Sequence, residues 1–244
     1  GWWTLSVQTI NSSYRRTKIG PLWLILQHAT FVISLTAIYG SLFHIVVNDL
    51  VPTIALGVTY WSLLSSLISN GASTFIKNGN AIKSTNLPKL FYVFESVCTN
   101  AIQFAHTMVP LIFVPIVFNT NVRSIALATI PASIILTLLN GFSIGIWLGL
   151  LAARFRDVQT AIPIVLQVGF YLSPIVWSAD QVVDRTWIAD LNPGAWMIEV
   201  FRSPILGGPA HLHYWIELLI ATFINCSLAA YAYSRYSARV NYWL

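Results

Sequence analysis

The chain has 244 residues, 56% hydrophobic and 9% charged, with 13 Lys and Arg against 8 Asp and Glu for a formal charge of +5. A soluble domain carries about 25% charged residues; so few charges cannot cover a water-facing surface, and a mean hydropathy of +0.69 excludes a water-soluble fold in favour of a polytopic membrane protein. The basic surplus belongs beside anionic lipid and does not call for nucleic acid.

The opening stretch GWWTLSVQTINSSYRR sets Trp3, Val7, Ile10 and Tyr14 on one helical side and Thr4, Gln8, Asn11 and Arg15 on the other. That pattern predicts an amphipathic helix over 1–18 lying in the membrane interface. No signal-peptide pattern is present. Arg15, Arg16 and Lys18 then precede a tract with no Asp, Glu, Lys or Arg until Asp49. A crossing helix needs about 20 mostly apolar residues, and the charge gaps place six: 22–47, 52–74, 91–118 with Pro110 and Pro115 inside it, 125–151, 159–177, and 214–234 with Glu217 inside it.

Between the second and third spans, FIKNGNAIKSTNLPKLF has helix-compatible spacing at Ile76, Ile82 and Leu87 and three Lys and three Asn. It reads equally as a docking surface or as a solvated loop that keeps cations on one side. In the fourth span, Gly141, Gly145 and Gly149 form a ridge that admits close approach of another helix, within one subunit in preference to a dimer contact. Cys98 and Cys226 lie in apolar tracts and read as small core residues. After the fifth span, residues 178–213 are too polar to cross yet rich in Trp, Ile and Val. They break at Asn192-Pro193-Gly194 and at Gly207-Gly208-Pro209, predicting two short amphipathic helices at or partly within the outer leaflet.

The cations fix the orientation. Arg15, Arg16, Lys18, Lys77, Lys83, Lys89, Arg154, Arg156, Arg235 and Arg239 fall on one side, and only Arg123, Arg185 and Arg202 on the other. The positive-inside rule makes the first side cytoplasmic, with both termini there. Trp23, Trp61, Trp177 and Trp243 fall near the expected interfaces.

No Gly-rich phosphate loop ending in Gly-Lys-Ser/Thr is present, and neither a Gly-x-Ser-x-Gly nor a His-Glu-x-x-His motif. The chain is therefore expected to be no enzyme and to bind no cofactor or metal. The His211/His213 pair reads as polar residues at a helix start. Glu95 is expected at an interface, paired with Lys89, and two separated acids, Glu95 and Glu217, are weak grounds for a proton relay.

Two helix faces are unusual. In the first span Gln27, Thr30, Ser34 and Ser41 adjoin a stripe of His28, Phe31, Leu35 and Tyr39. In the fifth, Pro163, Gln167, Phe170, Tyr171, Pro174 and Trp177 share a side. Aromatic faces beside amide and hydroxyl groups suit sugars, whose C–H faces stack on rings, and lack the charged ring of an ion filter. Ordinary helix packing and lipid contact remain the simpler reading for single positions.

The segments YRRTKIGPLW (14–23), IYGSLF (38–43), NLPKLFYV (86–93), ARFRDV (153–158), YLSPIVW (171–177) and Asn192-Pro193 run in order through nearly the whole chain. In that order the chain resembles the permease subunit of type-2 ABC exporters, and more narrowly the O-antigen, capsule and teichoic-acid polysaccharide exporters. The resemblance implies an all-α, six-span membrane domain in the bacterial inner membrane. It implies a partner copy of the chain and two copies of a separate ATPase subunit that holds ATP and Mg. Loop 75–88, with Ile76, Lys77, Asn78, Asn80, Ile82 and Lys83, would be the coupling helix. Gln27, His28, Phe31, Ser34, Tyr39, Gln167, Phe170, Tyr171 and Trp177 would line the conduit. The outer stretch would hold two re-entrant gate helices around Asn192 and Pro193. Arg15, Arg16 and Lys18 would meet the pyrophosphate of an undecaprenyl-linked glycan. Another substrate within the family (teichoic acid, capsule, lipid or drug) is the alternative, and a proton-coupled secondary transporter a weaker one.

Overall fold

The computed structural model describes residues 6, 9–10, 18–20, 22–44, 46–177, 190–208 and 211–244. Among them it is helical, with no strand: α1 (Leu22–Phe43), α2 (Val47–Lys77), α3 (Gly79–Ser84), α4 (Lys89–Met108), α5 (Val114–Val117), α6 (Ala126–Arg154), α7 (Asp157–Leu172), α8 (Pro193–Arg202), α9 (Leu212–Tyr236) and α10 (Val240–Trp243). Most of the expected interface helix over 1–18, including Arg15 and Arg16, lies outside the described residues, as does 178–189 of the outer stretch.

Among the described residues, five helical segments are long and apolar enough to cross a membrane: Leu22–Leu42, Val47–Lys77, Lys89–Val117, Ala128–Arg154 and Leu212–Trp243. The first ends earlier than expected, where His44 takes a φ of 53° that a helix cannot continue. The third is a broken rod. Pro110 and Pro115 lack the N–H that an α-helix ladder needs, so a 3-10 turn (Pro110–Phe113) separates α4 from α5. The expected span 159–177 is instead the 16-residue α7, about 24 Å long at 1.5 Å per residue against a hydrocarbon core of about 30 Å. It stops because Pro174 biases Ser173 toward extended backbone, seen as ψ 147°.

α2 is the central helix, with α1, α4, α6, α7 and α8 packed around it. Its Tyr60 is fully buried. The ring stacks on Phe201 of α8 at 4.4 Å and meets Phe104 of α4 edge-on at 6.3 Å. Its hydroxyl lies 2.5 Å from Thr137 Oγ1 and donates to the Ser133 carbonyl of α6 at 3.3 Å. One residue thus joins four helices.

The glycine ridge of α6 faces α2 within the chain, as expected. A Cβ on Gly71 would lie 2.8 Å from the Gly145 Cα, and one on Gly141 would lie 2.8 Å from Leu67. Opposite the ridge, α6 is tied to α9 by side chains. Asn140 donates to Thr222 at 2.6 Å and accepts from Asn225 at 2.9 Å, Trp147 donates to Asn225 at 3.3 Å, and Ser143 meets Cys226 Sγ at 3.3 Å. Lipid tails give apolar faces little reason to associate, so such bonds, at about 0.6 kcal/mol each, and close packing hold the helices together.

Candidate functional site

α1, α2 and α7 enclose an open groove of about 540 Å³ lined by Gln27, His28, Phe31, Val58, Trp61, Ser62, Ser65, Pro163, Leu166, Gln167, Phe170 and Tyr171. Six of the residues expected to line a conduit meet here: Gln27, His28, Phe31, Gln167, Phe170 and Tyr171. Phe170 is the hub. Its ring lies 6.1 Å from Phe31, 6.2 Å from Trp61 and 5.4 Å from Tyr171, all tilted or edge-on. His28 is fixed by Nδ1, which donates to the Leu24 carbonyl at 2.8 Å, and by Nε2, which meets Ser62 Oγ at 3.0 Å. The lining offers flat rings, amides, hydroxyls and an imidazole and, among the described residues, no carboxylate, Lys or Arg.

Three expected residues stand elsewhere. Ser34 donates to the carbonyl of Thr30 on its own helix. Tyr39 packs against the core cluster. Trp177 is half-buried beyond the end of α7 and does not line the groove. The floor comes from α2, which the sequence reading left out. Trp61, placed there near an interface, sits near the middle of α2. It is wedged where a Cβ on Gly169 would come within 3.0 Å and one on Gly194 within 2.8 Å. Both glycines leave room for this ring. Trp61, Ser62 and Ser65, at helical spacing in WSLLSSLIS, were the overlooked signal.

Behind the groove lies a smaller cavity of about 180 Å³ whose lining mixes the polar His28, Ser62, Ser66, Asn100, Gln103 and Thr107 with the apolar Leu24, Leu63 and Phe104. His28 and Ser62 therefore form a wall shared by both spaces.

The segment around Asn192 packs beside the groove, against the end of α7 and the Trp61 ring. Asn192 caps α8, its Oδ1 accepting from the Gly194 N–H at 2.9 Å and its Nδ2 donating to Ser173 at 3.1 Å, with Pro193 at the first helical position. Arg202, 2% exposed, donates to the Pro174 carbonyl at 2.8 Å and pairs with Glu199. α8 is buried against α2, α6 and α9 and is not a surface helix.

At the basic end, Ile82 of α3 is buried with Phe75, Tyr92, Val93 and Val240, and Ile76 packs against them. Asn78 N–H and Nδ2 bond the Thr74 carbonyl, turning the chain from α2 into α3. Asn80 and Lys83 are exposed, while Lys77 donates to Asn70 at 3.3 Å. Lys18 is exposed just before α1. Glu95 does not pair with Lys89. It accepts from Thr9 at 3.2 Å and Thr99 at 3.3 Å, whereas Lys89 donates to the Ser237 carbonyl. His211 and His213 cluster with Tyr214, and no group of three or more His, Cys, Asp or Glu able to hold a metal stands together among the described residues.

The amino-acid sequence has relatives among known proteins. Two O-antigen export system permease proteins RfbA of Klebsiella pneumoniae are 27% and 24% identical over 216 residues, covering 86% of this chain and 82% of each relative. A Myxococcus xanthus protein of the same name is 21% identical over 197 residues, covering 78% of this chain and 74% of the relative. The family model described as ABC-2 type transporter matches residues 1–206. A match over that length, on a helical bundle whose basic ends lie together, shows that the chain belongs to the ABC-2 type transporter family as a membrane permease.

Proposed function

We propose that this chain is the membrane-spanning subunit of an ATP-driven exporter that moves a lipid-linked polysaccharide, an O-antigen-like glycan on undecaprenyl pyrophosphate, out of the cytoplasm across the bacterial inner membrane. The carrying observation is the groove between α1, α2 and α7: rings, amides and hydroxyls with, among the described residues, no carboxylate, Lys or Arg. A neutral, hydrated chain can slide along such a wall through weak, repeated contacts, and a single tight site would stall it. The names of the relatives support the same cargo.

In this reading two copies pair through the exposed faces of α1 and α7, so that two grooves form one conduit. Phe31, Ile38, Ile164, Val165 and Val168 are exposed on those faces, as an unpartnered half would leave them. α7 with the turn over 173–177 completes a sixth crossing, and α8 is a re-entrant gate held by Asn192 and Pro193. Each copy docks a separate ATPase subunit, which holds ATP and Mg, through loop 75–88. Ile76 and Ile82 anchor the loop while Asn80 and Lys83 present the docking edge. Both termini are cytoplasmic, and Arg15, Arg16 and Lys18 meet the carrier pyrophosphate on entry. ATP binding closes the ATPase pair, the loop transmits the motion, and hydrolysis resets it.

Vesicles reconstituted with both subunits test this. ATP-dependent uptake of a labelled lipid-linked glycan that persists with uncouplers is expected. Uptake without ATP that uncouplers abolish would replace the exporter with a proton-coupled transporter.

A further inference from the structure

A further groove lies on the far side of α6 from the ridge, between the basic ends of α6 and α9. It encloses about 300 Å³, within the range of small-ligand pockets of about 300–1,000 Å³. Trp147, Leu151, Leu228 and Tyr231 form its apolar walls, and α10 closes one end with Trp243. Its single charged lining group is Arg154, the last residue of α6 and part of the ARFRDV segment that the export reading does not use. The Arg154 guanidinium lies 5.1 Å from the Phe155 ring and 5.6 Å from the Trp243 ring, and Arg239 stands 6.0 Å from Tyr236, another lining residue. Arg154 and Arg239 are exposed, and among the described residues the one ion pair, Arg202 with Glu199, is elsewhere. Among the described residues neither cation has an acid within ion-pair distance, and Arg154 lines an aromatic slot at the basic end of the bundle with Arg239 beside it.

We propose that this slot binds one anionic diacyl phospholipid of the cytoplasmic leaflet, an acyl chain lying along Leu151 and Leu228 and its phosphate on Arg154. Basic pockets between membrane helices at the cytoplasmic side recognise such headgroups, and guanidinium groups held over ring faces stay fixed while their N–H groups remain free. The inference rests on the proposed orientation, which puts these ends in the cytoplasmic leaflet. The bound lipid would brace α9 and α10 against α6, beside the cluster that seats Ile82.

Native mass spectrometry on the full chain, stripped of lipid in detergent and titrated with phosphatidylglycerol or phosphatidylcholine, tests it. Phosphatidylglycerol should be retained at least five-fold more than phosphatidylcholine. Arg154→Gln should cut phosphatidylglycerol retention about five-fold without changing phosphatidylcholine. Ala232→Phe, which fills the slot and leaves the charges alone, should do the same, and it carries the test if Arg154→Gln does not accumulate. Equal retention of the two lipids, or unchanged phosphatidylglycerol retention in a folded variant, would overturn the proposal. Displacement of phosphatidylglycerol by undecaprenyl phosphate at equal concentration would also overturn it, by assigning the slot to the carrier lipid. The readout involves no transport, so this site and ATP-driven export stand or fall separately.

Discussion

Phe170 and Asn192 show what a single side chain does in this fold. Phe170 contacts Phe31, Trp61 and Tyr171 at once, so truncation removes the centre of the aromatic wall. Phe170→Ala is expected to lower glycan uptake in vesicles several-fold at normal protein level, and Phe170→Tyr to keep most of it, because a ring face remains. Asn192 was legible as a break, but its work as a helix cap bridging α8 to Ser173 was not, since the partner is 19 residues away. Asn192→Ala should destabilise the folded chain by about 1 kcal/mol, and Asn192→Asp by less, because the oxygen that accepts from Gly194 is kept. Thermal unfolding of the two variants in one detergent checks the order. Arg202 carries the larger penalty. Its removal strands Glu199 and the Pro174 carbonyl, at a cost of about 2–3 kcal/mol.

Among the elements, helix existence was legible because charge gaps and apolar runs set it. Helix ends and partners were less so. The end of α7 could be read from the Ser-Pro pair in YLSPIVW, where the proline restricts the residue before it; apolar continuity to Trp177 concealed it. The α2 floor of the groove was hidden by a different cause. Trp61 reads equally as an interface anchor or a packing ring until Gly169 and Gly194 are seen to make space for it. The α6 ridge was visible as a period of four, but its partner was not. Gly71 and Gly145 respond differently to a methyl group. A Cβ on Gly71 meets backbone at 2.8 Å, whereas one on Gly145 meets the Val93 side chain at 3.1 Å and Gly71 Cα at 3.3 Å. Gly71→Ala should therefore cost about 2–3 kcal/mol by forcing α2 from α6, and Gly145→Ala clearly less. Comparing unfolding midpoints of the two variants reads this directly.

For the whole molecule, the cation distribution carries most of the inference, because it orders every loop relative to one membrane face. A cysteine at Lys83 should react with a membrane-impermeant maleimide only in inside-out vesicles, and one at Leu191, which is exposed, only in right-side-out cells. What the sequence could not supply is the joining of distant faces: α1 meets α7 across α2, and no local period encodes that. The conduit proposal stands on this meeting. A photo-crosslinking amino acid placed at Phe31 of α1, facing the groove, and a control at Ile216, exposed on α9, bear on it most directly. With the ATPase subunit, ATP and labelled lipid-linked glycan present, illumination should attach a ladder of glycan to the position 31 variant and none to the position 216 variant. Glycan on neither variant, or equally on both, would contradict transport along this groove.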